Sequence, residues 1–190
     1  MAHEFLVTPG AFLAAGPELR DPNFAHTVVL ICRHAEQGAY GLVLNRRSDF
    51  RAREVLAQHE LFQRSELPLF VGGPVSLETL QILHRAPQHI QGGVELDDDL
   101  WIGGELDDVG RYAREAPLEA ERNVRLFLGY SGWSPGQLEL ELTSGSWLPA
   151  PGSSRRVFQD DSAALWRQVV ADLGPDYRAL SNEPLDPEWN

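Results

Sequence analysis

The sequence predicts an α+β domain, on three observations. Strand-like runs outnumber helical ones, and the two do not alternate strictly as a doubly wound sheet requires. One run, His26–Arg33 (HTVVLICR), is β-branched and almost continuously apolar, as in a strand covered on both faces. The 190 residues suit one domain, and a hydrophobic content of 43% is enough to build a real core. Residues 1–10 read as an N-terminal extension, 11–175 as a single domain, and 176–190 as a polar, proline-containing tail.

The elements follow in order. Ala11–Ala15 and His26–Arg33 form a first strand pair, joined through LRDPNF, where Asp21-Pro22 keeps the chain out of helix. Tyr40–Asn45 (YGLVLN) is a further strand, with HAEQGA as the hairpin loop before it. Asp49 can cap a helix over Phe50–Gln63, with Val55, Leu56 and Phe62 on its inner side. Leu69–Val71 is a short strand ending in Gly72-Gly73-Pro74. Leu80–His84 is another, after a single turn at Ser76–Thr79. Val94–Leu96 and Leu100–Ile102 flank an Asp97-Asp98-Asp99 turn, and a helix is predicted near Leu106–Glu115. Val124–Leu128 is a buried strand, followed by a Gly/Ser turn at residues 129–133. Ser134-Pro135-Gly136-Gln137 has the residues of a capped helix start, which should run to about Leu142. A last helix, Ser162–Leu173, is capped by Asp160 or Asp161, stopped by Gly174-Pro175, and buries Leu165, Trp166, Val169 and Val170.

Charge narrows the functional classes. The net charge is −12, all sixteen basic residues are arginine, and no cluster of five or more occurs. Such a chain repels phosphate backbones and anionic lipid, so neither direct nucleic-acid binding nor membrane docking is expected. The N-terminus lacks a basic n-region and its apolar residues are broken by Pro9, Gly10, Gly16 and Pro17, unlike a signal peptide or a membrane span. The single cysteine, Cys32, precludes an internal disulfide and suits a reducing compartment, so a cytoplasmic location is expected.

No catalytic set assembles in the sequence. Ser131 lies in GYSGW between a strand and a helix, the setting of a nucleophile elbow, but Trp133 stands where the elbow needs glycine. Cys32 and His34 share a strand face at about 6–7 Å, too far for a direct hydrogen bond, and a small core thiol is the simpler reading. Residues 95–108 carry seven carboxylates and no base, without the ligand alternation or sixth-position glycine of a calcium loop; they read as turn and helix-start charges. The six histidines are scattered and match no zinc spacing. Gly72-Gly73-Pro74 could present amides to a phosphate, yet no P-loop lysine follows, and a close backbone approach explains the glycines as well. No catalytic residue, cofactor or metal ligand is therefore assigned.

Two tryptophans, Trp133 and Trp147, flank one predicted short helix. They either anchor the core or, with Phe24 and the Gly72–Pro74 turn, border a shallow apolar groove for a partner.

The motifs LAAGPELRDPNF, VVLICRH, GAYGLVLNR, VGGPV, ILH, FLGYSGWSPGQLELEL and SGSWL occur in that order from about Phe12 to Leu173. Jointly they resemble the AlgH/YqgE family of bacterial proteins. The resemblance implies a compact α/β sandwich with a bifurcated, barrel-like mixed sheet flanked by helices, in a cytoplasmic protein sometimes described as a transcriptional regulator. That family has no established biochemical activity and supplies no catalytic residues. What the matching positions supply is a candidate interaction surface: Phe24, Asn45, Gly72, Gly73, Pro74, Trp133, Gln137 and Trp147. The function expected is a non-enzymatic regulatory module that binds a protein partner through this groove. The alternative is a small-molecule or nucleotide binder, or a hydrolase, using the Gly72–Pro74 and Ser131 loops.

Overall fold

A computed structural model describes residues 7–97 and 99–182. Within them the chain forms ten strands and seven helices, an α+β fold. Strands β1 (Phe12–Ala15), β2 (Val28–Ala35) and β3 (Gly38–Val43) make an antiparallel meander, with Phe12 opposite Leu30 and Leu30 opposite Leu42. Val28 to Cys32 are all buried, as the unbroken apolar run predicts. On the far side of β1 lies β10 (Trp147–Ala150).

The sheet branches at β9 (Val124–Trp133), a ten-residue strand. Its first half pairs in parallel with β5 (Pro68–Val71), Leu126 facing Leu69. Its second half pairs antiparallel with β3, Ser131 facing Gly41 and Trp133 facing Ala39. Along its other side runs β6 (Val75–His84), followed by β8 (Leu100–Gly103) and β7 (Gly93–Asp97). The parallel β5–β9 pair makes the sheet mixed. The sheet is bifurcated and, among the described residues, not closed. Its ends still approach one another: Gly10, just before β1, packs so closely on Asp97 at the end of β7 that a Cβ there would lie 2.7 Å from the aspartate's own.

Two apolar clusters flank this sheet. The larger joins β1–β3 to Trp133, Trp147 and residues of α5 (Ser154–Val157) and α6 (Leu165–Asp172). The smaller joins Leu69, Ile82 and Leu126 to α2 (Leu106–Glu115) and α3 (Pro117–Asn123). Neighbours Leu126 and Phe127 belong to different clusters because successive strand residues point to opposite faces.

Several sequence expectations are corrected. The helix expected over Phe50–Gln63 is instead strand β4 (Arg47–Arg51), the one-turn helix α1 (Ala52–Val55) and a 3₁₀ turn at Glu60–Phe62. Only part of the expected apolar stripe is used: Phe62 is fully buried and Leu56 half-buried, whereas Val55 faces solvent. The pairing of β4 with β5 outweighs local helix propensity. The turn expected at residues 129–133 is the second half of β9, which kinks at a left-handed Gly129 and then pairs with β6 at Tyr130 and with β3 from Ser131 to Trp133. The turn expected at Ser76–Thr79 lies inside β6 as a bulge. Helices α3 and α5 and strand β10 had no clear local signal. Gly174-Pro175 does end α6, but Pro175 also opens α7 (Pro175–Ser181), so residues read as polar tail begin as helix. The expected extension is described only from Val7, which is buried in the larger cluster, and Asp98 of the acidic turn lies outside the described residues.

Candidate functional site

Strand register decides what the glycine-rich block does. In β9, Ser131 and Trp133 point to one face, Tyr130 and Gly132 to the other. The first face is core. Ser131 is 0% exposed and its hydroxyl donates to the Gly72 carbonyl at 3.0 Å. A buried serine committed to a backbone carbonyl, without an adjacent base, is not an activated nucleophile. Gly72 and Gly73 answer the same crowding. A Cβ on Gly73 would lie 2.2 Å from the Tyr130 carbonyl oxygen, and one on Gly72 would lie 2.5 Å from that of Gly129. The Gly72 amide is already donated to Leu128. The double glycine is a close backbone approach and not a phosphate cradle.

The two tryptophans belong to the core, at 6% and 1% exposure. Their rings meet edge to face at 5.9 Å, and Phe24 meets Trp147 in the same manner at 5.5 Å. Both indole N–H groups donate to one carboxylate oxygen, Glu141 Oε2, at 2.8 Å each. The other oxygen accepts from Gln137 Nε2 at 2.9 Å. Glu141 and Gln137 lie on α4 (Gln137–Thr143), one turn apart. The Gln137 carbonyl also accepts the Ser134 amide, which is half of the expected capping box; the Ser134 hydroxyl does not cap, and the helix starts at Gln137 after a left-handed Gly136. Phe24, Trp133, Gln137 and Trp147 are thus brought together, as one buried aromatic knot with a polar clasp. Glu141 escaped sequence reasoning, although a glutamate between two tryptophans that each need an acceptor was a usable signal.

Asn45 lies apart. It accepts the Val28 amide at 3.0 Å and donates to the His26 carbonyl at 2.9 Å, tying the end of β3 to the start of β2. Pro74 is exposed beside the buried glycines. Cys32 is buried at a bulge in β2, and burial pushes its thiol far above the ordinary range, so it is an inert core thiol. Among the described residues, no group of three or more His, Cys, Asp or Glu could hold a metal ion, and no helix is long and apolar enough to cross a membrane.

His34 does something else. Its Nδ1 meets the Val7 carbonyl and its Nε2 meets Glu139 of α4, each at 2.7 Å. Two acceptors require two ring protons, so the geometry favours the imidazolium. The Val7 carbonyl, with the Glu139 carboxylate, raises the His34 pKa, and His34 in turn lowers that of Glu139. The stabilisation from a raised histidine is complete below its unfolded value of about 6.5 and is lost as pH rises through the folded value. That from the depressed glutamate is present above about 4.3 and lost as pH falls through its folded value. His34→Gln should therefore cost up to about 1 kcal/mol near pH 5–6, both partners being solvent-accessible, and less as pH rises past the folded His34 value. Melting curves of both proteins from pH 5 to 9 check this; a constant gap across that range would contradict it.

The second face of β9 is open. Tyr40 faces Gly132 across the β3–β9 ladder, and Val75 faces Tyr130 across β9–β6, so Tyr40, Gly132, Tyr130 and Val75 share one sheet face. Gly132 has no side chain to fill the space beside Tyr40. The result is a depression of about 510 Å³ that Arg33, Ser134 and Pro135 also line. Tyr40 and Tyr130 pack with ring centres 5.2 Å apart and planes at 59°. The Tyr40 hydroxyl donates to Gln81 at 2.6 Å, and burial raises its pKa. Beside the depression β6 bulges outward: Ser76 has φ 49°, and Val75 and Leu77 are 37% and 53% exposed.

Residues 12–178 match the AlgH-like family. The chain belongs to that family. Relatives include a UPF0301 protein of Chlorobaculum tepidum, 38% identical over 191 residues and covering all of both chains, and one of Cytophaga hutchinsonii, 38% identical over 97% of this chain and all of the other. The solution structure of AlgH from Pseudomonas aeruginosa superposes with a TM-score of 0.70 at 33% identity, covering 94% of this chain and 95% of that one. A crystal structure of a Corynebacterium diphtheriae protein shares the fold, with a TM-score of 0.73 at 24% identity over 93% of both chains.

Proposed function

We propose that this AlgH-like chain is a non-enzymatic, regulatory module of the cytoplasm that binds a protein partner at the outward depression of β3, β9 and β6. One observation carries the reading: an aromatic sheet face that the described residues leave uncovered, with Val75 and Leu77 exposed on a bulged strand beside it. Apolar patches with polar rims mark interaction sites, and a non-glycine residue held at positive φ, here Ser76, is strain of the kind retained at such sites. The single cysteine, inert in the core, supports a reducing compartment. The charge of −12 speaks against nucleic acid and anionic membrane as partners. A ligand or hydrolase site on the Gly72–Pro74 and Ser131 loops draws no support from the geometry, because Ser131 and the Gly72 carbonyl satisfy one another inside the fold.

The test is site-specific photocrosslinking in cells. Benzoylphenylalanine at Val75 should give a discrete protein adduct, and the same group at Leu118, exposed on α3, should not. Absence of an adduct at 75, or the same adducts from both positions, would overturn the assignment.

A further inference from the structure

Resting on that partner-binding reading, the geometry points to the chemistry of the occupant: an extended, proline-containing segment bearing a carboxylate that pairs with Arg33. The depression is shallow and lined by the two tyrosines, Val75 and Pro135, among others. Gly132 adds no side chain there, leaving the rings of Tyr40 and Tyr130 to make the contact. Such notches suit polyproline II segments, whose preformed backbone loses little entropy on docking and whose rings pack on aromatic side chains.

Charge selects among such segments. The chain carries −12 overall, yet the residues lining the depression carry one charge, that of Arg33, and it is positive. Arg33 is exposed, and no carboxylate among the described residues lies within ion-pair distance of it. An unneutralised guanidinium at the edge of an aromatic notch is complementary to a carboxylate on the incoming segment. The acidic remainder of the surface repels acidic segments elsewhere, so this contact sets position as well as affinity.

The test uses the full chain, isotopically labelled, and two synthetic ten-residue peptides. Each holds four prolines and one ionisable residue, glutamate in one and lysine in the other. The glutamate peptide should shift the amide resonances of Gly38, Gly132 and Ser134 and bind about tenfold more tightly than the lysine peptide. Arg33→Glu, at an exposed side chain, should reverse that order. No shift with either peptide, equal binding of the two, or shifts confined to other surfaces would overturn the inference. The partner-binding reading fails separately: an adduct at residue 75 with no peptide binding would refute the segment chemistry alone, and loss of the adduct would remove the site itself.

Discussion

Arg125→Met should destabilise the fold by about 2–4 kcal/mol, one of two large core effects expected from single substitutions. Arg125 sits in β9 with its side chain buried, and burial lowers its pKa. Among the described residues, no carboxylate pairs with it directly. Its guanidinium donates to backbone carbonyls instead: Glu121 and Val124 through Nη1, Phe158 at 3.0 Å and Gln159 at 3.4 Å through Nη2. The group also lies over the Phe158 and Phe70 rings, and Arg85 lies over Phe158 as well. One side chain thus ties the end of α3 and the end of α5 to the branching strand. Methionine keeps most of the volume and orphans the carbonyls, each costing about 1–3 kcal/mol when left buried and unpaired, less what other donors recover. Removing a buried charge refunds part of its desolvation, which is why the expected loss stays below the sum of the bonds. Arg125→Lys should fall between, since an ammonium cannot span both carbonyl pairs. Urea unfolding checks this: the midpoint should fall with an unchanged slope. Amide exchange should rise first at residues 154–158. A midpoint within error of the parent would show that other donors satisfy these carbonyls.

Glu141→Leu comes next, at about 2–4 kcal/mol, or roughly 4–15 °C in melting temperature for a domain of this size. The reason is double occupancy. One carboxylate oxygen accepts both indole N–H groups, so a single substitution leaves two buried donors without partners. Glu141→Gln keeps one oxygen that can accept both and should cost only about 1 kcal/mol. The comparison separates acceptor loss from charge loss. Near-ultraviolet circular dichroism should change with leucine and persist with glutamine, because the edge-to-face Trp133–Trp147 pair depends on that clasp. Equal loss in both variants would assign the effect to charge.

Sequence-level reasoning worked where one residue run meets one kind of environment. HTVVLICR is apolar throughout because β2 is covered on both faces, and that is readable without knowing its neighbours. The helix near Leu106–Glu115 carries a one-sided pattern and lies at those residues. The membership written in the ordered motifs from Phe12 to Leu173 matches the AlgH-like family over residues 12–178. Reasoning failed where two partners compete for one segment. Residues 50–63 carry enough helix formers to suggest a helix, but β5 offers β4 a ladder, and the chain takes the strand. The SG pair at Ser131-Gly132 signals a turn locally, yet pairing with Tyr40 and Gly41 of β3 holds it as strand.

The candidate site divides along the same line. That Phe24, Trp133, Gln137 and Trp147 belong together was legible, because aromatic residues this costly to expose cluster around a shared core. Which way they face was not. The alternation along β9 follows from register, and register comes from strands 40 to 94 residues away in sequence, so Trp133 turns inward and Gly132 outward. Composition, charge, family and the order of most strands were determined by the sequence alone, since each rests on residue identity or on patterns within one segment. The open aromatic face with its lone arginine, the shared carboxylate of Glu141 and the buried guanidinium of Arg125 were decided only by tertiary structure, because each is a contact among residues that no local pattern connects.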